Sequence, residues 1–130
     1  MSEMEKFKGN NQKKFDLQDR FIDYSVRIMR LSEKLPKTNT GKHVSSQILR
    51  SGTSPAPNYG EAQSAESKAD FVHKLKIALK ELRETEIWLK IIAKAQMIES
   101  VSQLAPILQE TDELISILFK SIDTARKKNK

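Results

Sequence analysis

Asp70-Phe-Val-His73 is the one segment that places a carboxylate and a histidine at a spacing suited to metal chemistry. The spacing is that of half of the Glu-x-x-His element in carboxylate-bridged di-iron bundles. A working site needs this element twice, with two further carboxylates pointing inward. The other histidine, His43, has no acidic residue beside it. We therefore predict no metal site and interpret His73 as a surface or partly buried side chain and His43 as a solvated one.

Hydroxyl groups are the next candidates for chemistry, because serines are plentiful between positions 45 and 54. Nucleophilic catalysis also needs an adjacent base and a group that orients it, and the serine spacing follows helix packing and capping instead. The chain has no cysteine, which removes thiolate catalysis and disulfides. Gly52 and Gly60 are isolated, so no Gly-rich phosphate loop is present. We predict a protein without enzymatic activity, cofactor or small-molecule substrate.

Positive charge is the remaining functional signal, since the 130 residues carry a formal net charge of +6. The whole excess lies near the ends, because residues 15–125 hold 15 basic and 15 acidic side chains. Within that body, residues 20–50 are basic and could contact phosphate or an acidic partner. The candidate nucleic-acid contacts, RNA or DNA, are Arg20, Arg27, Arg30, Lys34, Lys37 and Lys42. The alternative is a solvated face that is balanced by acids elsewhere.

Helices must position these side chains, because the chain has only four Gly and four Pro and is 31% charged. We interpret residues 1–14 as a disordered leader, 15–125 as one domain and 126–130 as a basic tail. An apolar stripe at steps of three and four predicts helix one over 16–35, capped by Asp16 and ended by Pro36. The pattern of a signal peptide or membrane span is missing, so we expect a cytoplasmic protein that does not bind membranes.

Helix two is predicted to begin near residue 41, with Thr40 as its cap. Pro55 and Pro57 then leave two alternatives open. In the first, the helix ends near Ser54, because an interior proline costs about 3 kcal/mol or more. In the second, a kinked helix continues to about Ala65. An extended coil over 55–66 would contradict the second alternative.

Helix three is predicted to start at a capping box formed by Ser67 and Asp70 and to carry the i,i+4 pairs Lys80/Glu84 and Glu86/Lys90. Its second apolar face packs on a neighbouring helix or forms a subunit interface, and both remain open. The candidate interface residues are Trp88, Ile91 and Ala95. Helix four is predicted from Ser102, as N-cap, to Ala125. Four helices with short connections predict an all-α, antiparallel up-down-up-down four-helix bundle, with helix two kinked near the prolines.

The middle of the chain resembles the bacterial four-helix-bundle family that is also called the 23S rRNA-intervening-sequence proteins. The likeness covers about residues 16–122, and an Asn-Tyr-x-Glu-Ala segment at 58–62 points to one branch. The residues that carry it are Gln47-Ile-Leu-Arg50, Ser54, Asn58, Glu61, Glu66-Ser-Lys-Ala-Asp-Phe71, Lys74, Ile77-Ala-Leu-Lys-Glu-Leu-Arg-Glu84 and Trp88-Leu89. Pro57 and Gly60 depart from the family pattern, which more often has a small residue and Glu there.

The resemblance implies a homo-oligomer, with a pentameric ring favoured, and no enzymatic activity. Some members are encoded inside insertions in 23S rRNA genes, and a similar bundle is a basic accessory subunit that binds nucleic acid and a reverse transcriptase. We therefore expect a nucleic-acid-associated or scaffold protein, the alternative being a protein–protein interaction module such as a reverse transcriptase accessory subunit. Arg50, Ser54, Asn58 and Glu61 are predicted to form one polar stripe along the kinked helix, in which Arg50 and Glu61 can share a hydrogen-bond network. The stripe either holds the kink and caps helix three or binds a ligand.

Overall fold

Helix α1 spans Leu17–Lys34 in the computed structural model, which describes residues 16–128. Asp16 caps it as predicted, since its carboxylate accepts a hydrogen bond from the Asp19 amide at 3.1 Å. The six apolar residues of the predicted stripe are all buried: Leu17, Phe21, Tyr24, Ile28, Leu31 and Leu35. The predicted leader at 1–14 and the last two residues of the predicted basic tail lie outside the described residues.

The second helix is kinked, with α2 at Asn39–Thr53 and α3 at Pro55–Gln63. Ser54 between them keeps helical angles, φ −74° and ψ −35°, and its carbonyl accepts a hydrogen bond from the Asn58 amide at 3.3 Å. Both prolines fall in the first turn of α3, where a missing amide costs least because it has no intrahelical partner. The kinked-helix alternative is confirmed, and the helix ends at residue 63.

The start of α2 corrects one predicted cap. Thr38, not Thr40, is the N-cap residue: its hydroxyl accepts a hydrogen bond from the Gly41 amide at 3.1 Å. Thr38 has the extended backbone that an N-cap needs, with φ −81° and ψ 170°, whereas Thr40 already lies in the first turn of the helix. The helix therefore begins two residues earlier than position 41.

The third and fourth helices of the bundle are α4 at Lys68–Lys94 and α5 at Ala105–Lys127. The Ser67 hydroxyl accepts from the Asp70 amide at 3.1 Å, which confirms the predicted start of α4. Ser102 is not the cap of α5, because it lies in a 3₁₀ turn before the helix and its hydroxyl bonds to that of Ser100 at 2.8 Å. The fourth helix continues two residues beyond the predicted end at Ala125.

Contacts between the first helix and the kinked second helix run in opposite directions along the chain. Ser45 Oγ donates to the Ser32 carbonyl at 3.0 Å, while the Gln18 amide donates to the Ala56 carbonyl at 3.0 Å. In the resulting bundle α1 and α4 lie diagonally opposite each other, because each of them packs against both α2–α3 and α5. Residues 16–128 contain helices and no strand, as the all-α prediction requires, and no helix among them is long and apolar enough to cross a bilayer.

Two buried hydroxyl contacts fix the helices against one another. The Thr111 hydroxyl donates to the Ile107 carbonyl at 2.6 Å, so the Tyr24 phenol must donate across the core to Thr111 Oγ1, also at 2.6 Å. Burial raises the pKa of Tyr24. On the other side of the bundle, the Thr85 hydroxyl donates to Ser51 Oγ at 2.9 Å. Directional bonds at two points of an apolar core favour one register of the helices.

Candidate functional site

Arg20, the first of the predicted nucleic-acid contacts, is engaged within the bundle. Its guanidinium donates to both oxygens of Glu110, at 2.7 and 2.6 Å, and to Glu113 at 2.7 Å. The hydrogen bond to Glu110 raises the pKa of Arg20, and hydrogen bonds from Gln109 and Arg20 lower the pKa of Glu113. To bind a phosphate, Arg20 would have to give up these carboxylates.

The other predicted contacts fall into two groups. Arg27, Arg30 and Lys34 line the surface of α1 that faces the start of α5, and together they form a small basic group. The two remaining residues, Lys37 and Lys42, are exposed at and after the turn that follows α1, and the Lys37 ammonium donates to the Glu33 carbonyl at 3.3 Å. The structure thus brings three of the six predicted residues together. Arg20 lines a groove with Arg27 and Arg30, but its guanidinium is already paired with Glu110 and Glu113.

A larger basic surface lies on α4, where our sequence reasoning did not place one. Five exposed cations occupy the face opposite the core, which we call the α4 cation ridge: Lys76, Lys80, Arg83, Lys90 and Lys94. Their steps of four, three, seven and four residues keep them on one helical face, and the ridge is about 27 Å long at about 1.5 Å per residue. The helical spacing of these cations along the sequence would have predicted the ridge, whereas the net charge of each segment does not show it.

Most of the ridge has no internal partner. Lys90 pairs with Glu86 at 3.8 Å, as predicted from its i,i+4 spacing. The predicted Lys80/Glu84 pair does not form, because Glu84 instead binds Arg50 of α2 and accepts from the Trp88 indole at 3.0 Å. Within residues 16–128, Lys76, Lys80, Arg83 and Lys94 make no ion pair, so their charges face solvent.

The polar stripe on α2 and α3 divides into separate contacts rather than one network. Arg50 donates to Glu81 at 2.9 Å and also pairs with Glu84, both on α4. The Asn58 amide donates to the Ser54 hydroxyl and carbonyl, each at 3.0 Å, across the kink. Lys74 of α4 binds Glu61 at 2.8 Å, and this hydrogen bond raises the pKa of Lys74. These contacts join α2–α3 to α4 and stabilise the kink.

The candidate subunit-interface residues lie along one arc of α4. Trp88 is half-buried, packs against the core and meets the His43 ring edge-on, with ring centroids 6.0 Å apart. Ile91 is 40% exposed, and Ala95 is exposed at the end of the helix. Trp88 therefore has partners within the chain, while the other two offer a free surface.

The histidines do not approach a set of carboxylates. Within the described part of the chain, no group of three or more His, Asp or Glu side chains is arranged to hold a metal ion. His73 is exposed and shares a surface groove with the cations Lys68, Lys76 and Arg126. Nearby cations oppose the binding of a further positive ion.

Comparisons with known proteins agree with the all-helical fold. A model of the 23S rRNA-intervening sequence protein family matches residues 13–120. The fold is similar to a crystal structure from Bacteroides thetaiotaomicron, a protein of unknown function from the S23 ribosomal protein family. The two share 38% identity with a TM-score of 0.76, over 82% of this chain and 98% of that one. No curated protein matches the sequence. The chain belongs to the 23S rRNA-intervening sequence protein family.

Proposed function

We propose that this protein is a non-enzymatic, homo-oligomeric, nucleic-acid-associated protein, and that the α4 cation ridge is the surface that contacts phosphate. The observation that carries the proposal is that Lys76, Lys80, Arg83 and Lys94 form no ion pair with any residue of 16–128. An unpaired, exposed cation reaches a phosphate without breaking an internal contact, and it releases counterions when it binds.

The basic residues of α1 are the rival surface. Arg20 would lose its two glutamate partners on binding, which removes most of the electrostatic gain. Arg27, Arg30 and Lys34 have no such partners, but they are fewer than the ridge cations and Asp23 lies beside them. The ridge is therefore favoured by number and by spacing.

A comparison of two charge-matched variants tests this assignment. One variant carries Lys76→Gln, Lys80→Gln and Arg83→Gln on the ridge; the other carries Arg27→Gln, Arg30→Gln and Lys34→Gln on α1. Each removes three positive charges and keeps both ends of the chain, so the net charge is equal. Affinity for single-stranded RNA is measured by fluorescence anisotropy between about 50 and about 200 mM salt.

We expect the ridge variant to bind RNA more weakly and to lose about 2 from the slope of log affinity against log salt, since each single-strand phosphate contact contributes about 0.7. The α1 variant should keep the wild-type slope. Equal losses in both variants would show that only net charge matters and would refute the ridge. No retention of the wild-type protein on RNA at about 50 mM salt would refute nucleic-acid association altogether.

The homo-oligomeric part of the proposal is supported by exposed apolar side chains on α4. Ile91 is 40% exposed, and it lies on one arc of the helix with Trp88 and Ala95. Exposed aliphatic side chains grouped in this way are typical of interfaces. Sedimentation velocity should show a multimer, a pentamer being favoured by the family resemblance, and Ile91→Asp should shift it to smaller species. If Ile91→Asp leaves the mass unchanged, this arc is not the subunit interface and is available to a partner protein, which is the alternative function. The cytoplasmic location remains a prediction.

A further inference from the structure

A concave surface between α4 and α5 adjoins the ridge, and we call it the α4–α5 groove. Leu79 and Ile122 are buried and form its floor. Its rim is formed by side chains of both helices: Lys76, Lys80 and Arg83 from α4, and Phe119, Asp123 and Arg126 from α5. The volume is about 290 Å³, near the lower end for pockets that bind small ligands. The groove is therefore large enough for a small flat group and is open at the surface.

Phe119 gives the groove an unusual chemical character. The side chain is 57% exposed, so most of its ring contacts solvent rather than the core. A single exposed apolar residue needs no special explanation by itself. Phe119, however, stands on the rim of a groove that also holds four cations, and aromatic rings beside basic side chains are the combination that single-stranded nucleic acid binds.

The charges of the rim favour an anionic ligand. Lys76, Lys80, Arg83 and Arg126 are exposed and make no ion pair within residues 16–128. The one carboxylate on the rim, Asp123, binds Lys127 at 3.0 Å. An anionic chain would therefore meet four free cations and one acid that is already paired.

We propose that the α4–α5 groove binds a single-stranded segment of nucleic acid, with one base stacked on Phe119 and the flanking phosphates held by the rim cations. This inference rests on the proposed nucleic-acid association and names the form of nucleic acid that is bound. A duplex keeps its bases stacked inside and presents only phosphates and groove edges, so it cannot use Phe119. The rim cations suit phosphate and Phe119 suits the face of a base, and single strands of RNA and DNA present both groups.

The test uses the full-length protein and oligonucleotides that carry one 2-aminopurine, whose fluorescence is quenched when the base stacks. RNA and DNA of the same sequence are titrated as single strands and as duplexes with their complements. Phe119→Leu removes the aromatic ring and keeps an apolar side chain at an exposed site, so the fold is not at risk. Phe119→Tyr is the matched control that keeps a ring for stacking.

We expect single strands to bind more tightly than duplexes, with a change in 2-aminopurine fluorescence. Phe119→Leu should lose affinity for single strands by about 5- to 150-fold, since stacking of one base on an aromatic ring is worth about 1–3 kcal/mol. Phe119→Tyr should retain that affinity. Duplex binding should be the same in all three proteins.

Two results would overturn the inference. If single strands and duplexes bind equally and Phe119→Leu changes neither affinity nor fluorescence, the groove is not the base site, while salt-dependent binding by the ridge would still support the proposed function. If polyglutamate competes more strongly than RNA and depends on Phe119, the occupant is an acidic protein segment. Absence of all binding would instead refute the proposed function itself.

Discussion

Gly52 of α2 lies directly against Ile28 of α1, and its replacement by alanine tests how tightly these helices pack. An alanine Cβ at this position would lie 2.6 Å from Cγ2 and 2.8 Å from Cγ1 of Ile28. Carbon atoms in contact prefer about 3.5–4.0 Å, so the new methyl group would be about 1 Å too close. Alanine gains about 1 kcal/mol over glycine inside a helix, whereas overpacking costs about 1–3 kcal/mol. Gly52→Ala should therefore destabilise the protein by about 1 kcal/mol.

The free energy of unfolding is measured by urea denaturation at one fixed protein concentration, because oligomerisation would add a concentration dependence. Gly60→Ala is the comparison variant: its Cβ would meet only the Gln18 amide, 2.9 Å from Oε1, so the gain of about 1 kcal/mol in helix propensity is offset by strain in the Gln18–Ala56 hydrogen bond, and stability should stay close to that of the wild type. In a double-mutant cycle, Ile28→Ala should remove the penalty of Gly52→Ala. A Gly52→Ala variant as stable as Gly60→Ala would refute the close contact.

Three smaller predictions concern single contacts. Tyr24→Phe should cost about 0.5–1.5 kcal/mol, because it removes the buried bond to Thr111. Burial raises the pKa of Tyr24, so the contribution of this side chain to folding stability is complete below its pKa in the unfolded chain, about 10, and falls as pH rises above it. Wild-type stability should therefore drop in alkaline titrations more than that of the Tyr24→Phe variant. Ser67→Ala should cost about 1 kcal/mol in urea denaturation through the lost helix cap. Arg50→Ala should cost about 1 kcal/mol in the same assay: the half-exposed Arg50 side chain weakens its ion pairs, but the mostly buried Glu81 loses its partner.

Local sequence rules predicted those parts of the fold that depend on neighbours in the chain. Asp16 and Ser67 cap their helices as expected, and the kink follows from two prolines that both fall within one first turn. The rules failed where two hydroxyls compete for one cap. Thr38 and Thr40 differ by two residues, and the path of the chain after Leu35 decides which of them has the extended backbone of an N-cap.

The candidate site was less predictable, because charge was counted along the chain and not around the helices. Residues 15–125 have no net charge, yet Glu81 and Glu84 of α4 pair with Arg50 of α2, while Lys76, Lys80 and Lys94 of α4 are exposed and make no ion pair within residues 16–128. Ion pairs between helices thus neutralise acidic side chains of α4 and leave several of its cations exposed, although the segment as a whole has no net charge. An i,i+4 pairing of Lys80 with Glu84 is plausible in an isolated helix, but the partner from α2 displaces it.

Lysine footprinting of the wild-type protein tests the ridge most directly. The protein is acetylated with and without single-stranded RNA, and the modified lysines are quantified by mass spectrometry. Binding at the ridge predicts protection of Lys76, Lys80 and Lys94, with Lys37 and Lys42 modified equally in both samples. Protection of Lys37 and Lys42 alone, with the ridge lysines unchanged, would contradict the proposed interface.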